Sequence, residues 1–450
     1  MKVIKFGGSS LADAVQIKKV CNIVLDDSTR RLVVVSAPGK RFANDKKVTD
    51  MLIELANEYI KTSVGGEPLA AVINRYAVIA EDLNLGNEII VEIENDLKGR
   101  LASKGNHVDK FMDLMKAAGE DNCAKLVAAY LQSIGVNAEY INPKDAGLLL
   151  SDEFGNARVL PKAYEELAKL AEKESIMIFP GFFGYSENGE VVTFSRGGSD
   201  VTGAVLASAV NAEVYENFTD VDSVYAANPN IIKDPCPIPV FTYEEMRELS
   251  YAGFSILHEE TLEPVFRKGI RVNIKNTNNP SAPGTFIVPD NKVSTTPIVG
   301  IAADKGFMTI HVQKYLMNRE IGFGRKLLQI IEDEGLSYEH TPSGIDSISI
   351  ILREKECNSA KLDIIVGKIH KCLHSDKVVI EKNQAIVMIV GQGMSKNVGI
   401  AGRATTALSK SGINIKMINQ GSSEVSIMFG VSADDADKSV RALYDEFFGG

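Results

Sequence analysis

What this 450-residue chain has little of narrows its function before any motif is considered. Its five cysteines (Cys21, Cys123, Cys236, Cys357 and Cys372) are scattered and form no C-x-x-C pair. That excludes a disulfide-stapled scaffold, argues against a structural zinc site and points to a reduced, cytoplasmic compartment. The six histidines are equally dispersed, so no metal site is expected. Basic charge is in deficit: 49 Lys and Arg against 59 Asp and Glu give a net charge of −10. That balance excludes a general nucleic-acid or anionic-membrane surface, so any phosphate site must be local. No apolar run approaches the roughly 18 residues of a membrane span. The first residues enter a strand at once, and no signal peptide is expected. Neither the P-loop pattern G-x-x-x-x-G-K-[ST] nor a dinucleotide G-x-G-x-x-G occurs. What is present, 45% hydrophobic and 24% charged residues, is ordinary for a globular protein, at a length that fits roughly two to four domains.

The rest is organised around Lys2-Val3-Ile4-Lys5-Phe6-Gly7-Gly8-Ser9-Ser10-Leu11. Val3, Ile4 and Phe6 read as a short buried strand, and Gly7 and Gly8 end it. Ser9 or Ser10 then caps a helix whose apolar positions Leu11, Val15, Ile17, Val20, Ile23 and Val24 recur at helical spacing. A strand, a glycine turn and a helix N-terminus make an anion site, because backbone approaches a phosphate closely and the first N–H groups favour negative charge. Lys5 adds a mobile positive charge there; the same residues also read as an ordinary βα turn with a surface lysine. A second turn has the same grammar: a strand over 191–194 runs into Ser195-Arg196-Gly197-Gly198-Ser199-Asp200, and a small-residue helix follows over 201–210. Arg196 presents a planar fork suited to a carboxylate or phosphate. Asp200 suits an ammonium, or holds Lys5 and the substrate in register; a local Arg–Asp pair in a plain turn is the alternative.

Between these turns, residues 32–35 form a Val-rich parallel strand with Ser36 at its carboxyl end, where ligands gather in open α/β sheets. A polar loop over 40–47 precedes a helix opened by Thr49-Asp50. Residues 68–118 are mostly helical, and Gly119-Glu120 begins a further helix, with Glu120 complementing the dipole in its first turn. Strands over 138–141, 175–179, 212–217 and 272–276 alternate with helices over 161–173, 243–251 and 261–268. The loop from Phe218 to Tyr225 reads a nucleotide base or ribose, or is a turn. A boundary is expected near residue 296. Beyond it, a strand–helix–strand–helix order runs from 307 to 373 and again from 385 to 447, with Gly324-Arg325 recurring as Gly402-Arg403.

Taken together, Lys5-Phe6-Gly7-Gly8-Ser9-Ser10, Val34-Val35-Ser36-Ala37, Gly119-Glu120, Arg196-Gly197-Gly198-Ser199-Asp200, Phe218-Thr219-Asp220-Val221-Asp222 and Tyr243-Glu244-Glu245-Met246 resemble the aspartate kinases of the amino-acid kinase family. Asn276 with Pro280 and Gly284-Thr285 fits the same resemblance. Gly412-Ile413-Asn414-Ile415 and Ser423-Glu424-Val425-Ser426 resemble the second of two tandem ACT domains. The resemblance spans essentially the whole chain. It implies an α/β fold: a catalytic three-layer αβα sandwich over 1–296, then a regulatory domain over 297–450 built of two ferredoxin-like βαββαβ ACT units. The first unit covers about 305–383, the second about 384–450 with a strand from 297–304.

The implied reaction moves the γ-phosphoryl of MgATP to the β-carboxylate of L-aspartate, giving 4-phospho-L-aspartate, the first step toward lysine, threonine and methionine. ATP and Mg2+ are the implied cofactors, the metal held mainly by nucleotide phosphates and not by protein ligands. By the resemblance, Lys5 and Asp200 are catalytic. Lys5, Gly7, Gly8, Ser9, Thr219, Asp220, Tyr225 and Asn230 bind ATP. Ser36, Thr49, Glu120, Arg196, Gly197 and Ser199 bind aspartate. The ACT pair implies feedback by an amino acid, L-lysine in preference to L-threonine, and a homodimer or tetramer formed through ACT domains. The matching lip is Tyr315, Asn318, Phe323 and Gly324, faced by Ser337 and Glu339; Glu339 suits a side-chain ammonium or is a solvated charge. Three positions depart from the family: Asn230 replaces an arginine, Ser255 a lysine and Glu259 a proline. Lys233 and Arg41 are candidates to restore the missing positive charge. A non-catalytic or weakly active amino-acid sensor, or another amino-acid kinase, is the alternative.

Overall fold

The structure is a computed structural model that describes residues 1–195, 197–254, 259–290 and 296–449. Arg196 and Ser255 therefore lie outside the described residues, as does the side chain of Glu259. The described residues fall into two units, one drawn from 1–224, 239–243 and 255–291, the other from 225–238, 244–254 and 292–450. Segments 225–238 and 244–254 thus group by contacts with the C-terminal unit.

The first unit is built on an eight-stranded sheet in the order Val240–Thr242, Thr285–Val288, Arg271–Asn276, Val214–Thr219, Lys2–Phe6, Arg30–Val35, Ile176–Pro180, Ala138–Tyr140. Its pairings are parallel except between Arg271–Asn276 and Thr285–Val288. Val3, Ile4 and Phe6 are fully buried because this strand is covered on both faces. Ile4, Phe6, Val33 and Val35 face a core shared with the helices Ala14–Leu25, Val48–Thr62, Gly66–Asp82, Glu88–Ala102 and Val108–Ser133. The alternate residue Lys5 points to the opposite face, where helix Gly198–Ala209 lies. Layers of helix, sheet and helix result. Strand order runs outward from Lys2–Phe6 through Arg30–Val35 and Ile176–Pro180, then returns to the other side of Lys2–Phe6 at Val214–Thr219. A crevice for ligands opens beyond the carboxyl ends of strands at such a reversal.

Four local expectations are corrected here. The first helix, Ala14–Leu25, is capped by Asp13, which accepts from the Gln16 N–H at 2.9 Å. Neither serine caps it: Gly8–Leu11 forms a 3-10 turn, and the Ser10 hydroxyl is buried against Thr277 Oγ1 at 2.7 Å. Val15 is 64% exposed and belongs to no core. Gly119-Glu120 does not start a helix but lies in the middle of Val108–Ser133. A Cβ on Gly119 would sit 2.8 Å from Ala37 Cβ; glycine is there for close approach, although it costs about 1 kcal/mol of helix propensity. The 161–173 helix is Pro161–Ala168 followed by a 3-10 turn.

The second unit carries one antiparallel five-stranded sheet, ordered Ser347–Arg353, Gly300–Gln313, Lys377–Val390, Ser426–Ser432, Met417–Gln420. Gly300–Gln313 and Lys377–Val390, 14 residues each, run through both halves of the repeat. The register of their pairing shifts around Gly306, whose φ is +89°. Helices Phe323–Asp333 and Ser359–Leu373 cover the first half, and Ile400–Lys410 pairs with Ala436–Phe448 in the second. Among the described residues no helix is long and apolar enough to cross a membrane.

Candidate active site

Lys5 stands next to last in the strand Lys2–Phe6, its side chain 9% exposed, and its Nζ lies 2.6 Å from Asp200 Oδ1. Asp200 is the third residue of helix Gly198–Ala209. Asn217 is the register partner of Lys5 on the neighbouring strand and donates from Nδ2 to the same Asp200 oxygen at 2.7 Å. Two strands and one helix therefore fix this ion pair. A Cβ on Gly7 would lie 3.7 Å from Lys5 Nζ, so the turn's backbone borders the ammonium. The Gly8 carbonyl accepts from the Gly39 N–H at 2.8 Å, and a Cβ on Gly8 would fall 2.8 Å from the Ala37 carbonyl. Ser9 is exposed beside this turn.

Ser36 follows the Arg30–Val35 strand, half-buried, with its N–H on the Phe6 carbonyl at 3.3 Å. Thr49 is half-buried in the first turn of Val48–Thr62. Glu120 is buried; its carboxylate accepts from the Ala37 N–H and from its own backbone N–H, while Oε2 has no partner among the described residues. Burial pushes its carboxyl up to about 8, more than these hydrogen bonds lower it. A buried carboxyl left half-satisfied is costly unless a ligand completes it. Ser199 is buried beneath Gly181, where a Cβ would fall 2.7 Å from both Ser199 Cβ and Oγ. Gly197 takes φ +74° to start the helix.

On the other side of the Lys5 strand, the Thr219 hydroxyl donates to Asp220 Oδ1 at 3.2 Å and accepts from the Val221 N–H at 3.3 Å. Tyr225 and Asn230 belong to the second unit, the first half-buried and the second exposed. Arg41 is not a spare cation: its guanidinium donates to both Asp45 oxygens at 2.8 and 3.0 Å. Lys233 is exposed in the second unit. Sequence reasoning missed Asn217, Gly39 and Gly181. The polar pair Glu216-Asn217 between Tyr215 and Phe218 was the readable sign of the first. Among the described residues no three His, Cys, Asp or Glu side chains gather as a metal site.

In the second unit, Tyr315 and Asn318 are exposed, and the Asn318 N–H donates to the Ile345 carbonyl at 3.2 Å. Phe323 is buried in the core and offers no edge to a ligand, whereas Gly324 opens to free space. Ser337 is exposed. Glu339 is neither solvated nor free. It accepts from Arg353 Nε at 2.8 Å and from the Tyr251 hydroxyl, and these bonds hold it below the ordinary range although burial pushes the other way. Its N–H pairs with Ile351, toward the far end of Ser347–Arg353 from Asn318.

A lysine held by a carboxylate beside a glycine turn, at the reversal point of an open parallel sheet, suits an α/β phosphotransferase. The model of the amino acid kinase family matches residues 1–276, and that of an ACT domain matches 387–447. Aspartokinase 3 of Bacillus subtilis is 54% identical over 450 residues, covering 100% of this chain and 99% of the relative. The crystal structure of Clostridium acetobutylicum aspartate kinase matches with a TM-score of 0.88 at 40% identity, over 99% of this chain and 100% of that one. Escherichia coli aspartokinase III in complex with aspartate and ADP matches with a TM-score of 0.76 at 25% identity over 100% of both chains. Its complex with lysine and aspartate gives 0.75 at 26%, over 100% of this chain and 99% of that one. The chain belongs to the amino acid kinase family, within its aspartate kinase branch with C-terminal ACT domains, and is an ATP-dependent kinase with a carboxylate acceptor. The sensor-only alternative falls with that.

One packing contact is directly testable. Gly181→Ala places a methyl group against Ser199 and is expected to cost about 1–3 kcal/mol of stability while raising the KM for aspartate more than that for ATP. Thermal melting and steady-state kinetics check it; an unchanged aspartate KM refutes the placement of Ser199 on the acceptor side.

Proposed function

We propose that the site residues divide the reaction between two glycine turns. Lys5 and the N–H groups around Gly7, Gly8 and Ser9 receive the γ-phosphoryl group, with Thr219, Asp220, Tyr225 and Asn230 beside the nucleotide. Asp200, steadied by Asn217, holds the Lys5 ammonium in place. Glu120 takes the α-ammonium of aspartate, while Ser36, Thr49, Arg196, Gly197 and Ser199 fix its carboxylates. One β-carboxylate oxygen attacks the γ-phosphorus, the bond to the bridging oxygen breaks, and ADP leaves with that electron pair. The attacking carboxylate is already ionised at neutral pH, so no general base is required. Positioning and charge stabilisation carry the rate. Mg2+, carried on nucleotide phosphates and water, would supply further charge neutralisation there. The observation that supports this reading best is the buried Glu120 carboxyl, whose Oε2 has no partner among the described residues.

In this reading residues 1–296 carry catalysis and 297–450 carry regulation, with ACT units at about 305–383 and about 384–450 plus 297–304. L-lysine is the favoured effector, supported by the lysine complex of the Escherichia coli relative, and the product feeds lysine, threonine and methionine synthesis. The effector seam is completed between two chains of a homodimer or tetramer formed through the ACT units. The five free cysteines support a reduced, cytoplasmic setting.

With MgATP, L-aspartate and hydroxylamine, the purified protein is expected to yield aspartyl hydroxamate, and L-lysine to suppress it. Inhibition by threonine alone overturns the choice of effector. Glu339→Ala is expected to relieve inhibition by breaking its bonds to Arg353 and Tyr251, not by removing a free acid.

A further inference from the structure

We propose that Arg75, a residue remote in sequence from both glycine turns, is a positioning residue for the acceptor side of phosphoryl transfer. It sits in helix Gly66–Asp82 with its side chain 3% exposed. Its Nη2 donates to the Gly39 carbonyl at 2.6 Å and the Ala12 carbonyl at 3.2 Å, and its Nη1 donates to Asp45 Oδ2 at 2.8 Å. Each partner belongs to a different piece of the site's frame. Ala12 ends the 3-10 turn that follows Gly7. Gly39 crosses directly over the phosphate turn, its N–H on the Gly8 carbonyl at 2.8 Å, and a Cβ there would lie 2.6 Å from Gly8 C. Asp45 belongs to the polar 40–47 loop that leads to Thr49, and it also binds Arg41 through its N–H at 3.0 Å and its Nε at 2.8 Å. The start of the Thr49 helix is tied to the same strand end, since the Val48 N–H donates to the Pro38 carbonyl at 3.0 Å.

One guanidinium thus locks the phosphate turn, the crossing turn and the acceptor loop to each other without touching a reacting atom. Burying a charge to bind two carbonyls and one carboxylate is an expensive way to fill a core, since apolar side chains of similar volume often serve stability as well or better. The fork is what an apolar residue or a lysine does not supply. Displacements of about 1 Å away from the chemistry cost on the order of a hundredfold in rate, so a residue that sets the spacing of two substrate loops belongs to the catalytic design.

The inference rests on the reading that the Ser36 and Thr49 side holds aspartate and the Gly7 side holds ATP, and the experiment separates the two claims. Steady-state kinetics are measured for Arg75→Lys, Arg75→Ala, Asp45→Ala, the Arg75→Lys/Asp45→Ala double variant and Ser36→Ala, each with a melting curve. Asp45→Ala releases only the 40–47 loop and is expected to raise the aspartate KM about tenfold with the ATP KM unchanged. Arg75→Lys is expected to raise the aspartate KM at least as much and to lower kcat. The double variant should be no worse than Arg75→Lys alone, because both changes break one linkage. Guanidinium ion at millimolar concentration should restore part of kcat/KM to Arg75→Ala. If Ser36→Ala raises the aspartate KM and the folded Arg75 and Asp45 variants do not, Arg75 is structural only and the proposal is overturned. If Ser36→Ala has no effect either, the acceptor-side reading itself fails. Should the Arg75 variants not fold, Asp45→Ala decides the matter.

Discussion

Replacing Lys5 with alanine is expected to reduce aspartyl phosphate formation by about a thousandfold or more, at saturating ATP as well as limiting ATP. The loss falls on kcat because the ammonium is best placed to meet charge that grows on the γ-phosphoryl oxygens during transfer, not merely to anchor the nucleotide. Three observations make Lys5 hard to replace. Its side chain is nearly sealed, its Nζ is held 2.6 Å from Asp200, and the Gly7 backbone lies close enough that a Cβ there would be 3.7 Å from Nζ. Lys5→Arg is therefore expected not to rescue, since a planar guanidinium needs room that Asp200, Asn217 and the turn already fill. Removing Lys5 also leaves the Asp200 carboxylate, held by Asn217 Nδ2 at 2.7 Å, facing a triphosphate. Part of the damage is thus repulsion that the wild type never feels. The double variant Lys5→Ala/Asp200→Ala should accordingly be no slower than Lys5→Ala, a non-additivity expected of groups acting as one unit. Hydroxamate trapping and single-turnover kinetics test this; a Lys5→Ala enzyme with near-normal kcat and only a raised ATP KM would sink the assigned role.

How much of this site was readable in the sequence depends on how far each residue's meaning travels along the chain. The two basic Gly-Gly turns announce themselves locally, because glycine beside a strand end and a cation have few other uses together. The structure brings Lys5 and Asp200 into contact from positions far apart in sequence. Asn217 is a different case: its importance exists only in the strand register that sets it opposite Lys5. Arg75 is invisible in the same way, being one polar residue on a helix until the backbone of Gly39 and Ala12 reaches it. Glu120 was misplaced for a physical reason. Glycine usually breaks helices, so Gly119 suggests a start, yet here it permits the helix Val108–Ser133 to touch Ala37 and so carries Glu120 into the interior. The alternation of strands and helices followed from apolar runs and amphipathic spacing, whereas the layering came from the family resemblance. The sharing of Gly300–Gln313 and Lys377–Val390 by both ACT units did not, because a shifted pairing at Gly306 divides one strand into two readable pieces.

Glu120→Gln is expected to stabilise the ligand-free enzyme above neutral pH and, at the same time, to weaken its hold on aspartate. Burial pushes the folded carboxyl up from 4.5 to about 8, against the lowering backbone hydrogen bonds from Ala37 and from Glu120 itself. Between those two values the folded protein keeps a proton that the unfolded chain gives up. Unfolding therefore releases protons, and stability falls as pH rises through this window, at up to about 1.4 kcal/mol per pH unit. Glutamine keeps the volume and an acceptor but cannot ionise. Melting temperatures of wild type and variant should be nearest below pH 4.5 and separate toward pH 8, with the variant higher. The opposite holds for substrate. An α-ammonium arriving at the unpartnered Oε2 favours the ionised carboxylate, so aspartate binding at pH 7 should expel up to about one proton from the wild type and none from Glu120→Gln. Calorimetry in buffers of different ionisation enthalpy reads that proton directly, and the aspartate KM of the variant should rise about tenfold to a hundredfold. A proton release that is the same in both proteins would place the ammonium elsewhere. A variant less stable than wild type at pH 8 would mean that the buried carboxyl is ionised and satisfied before substrate arrives. The two readouts are independent, one on the empty protein and one on the loaded one, and only a buried acid waiting for a cation moves them in opposite directions.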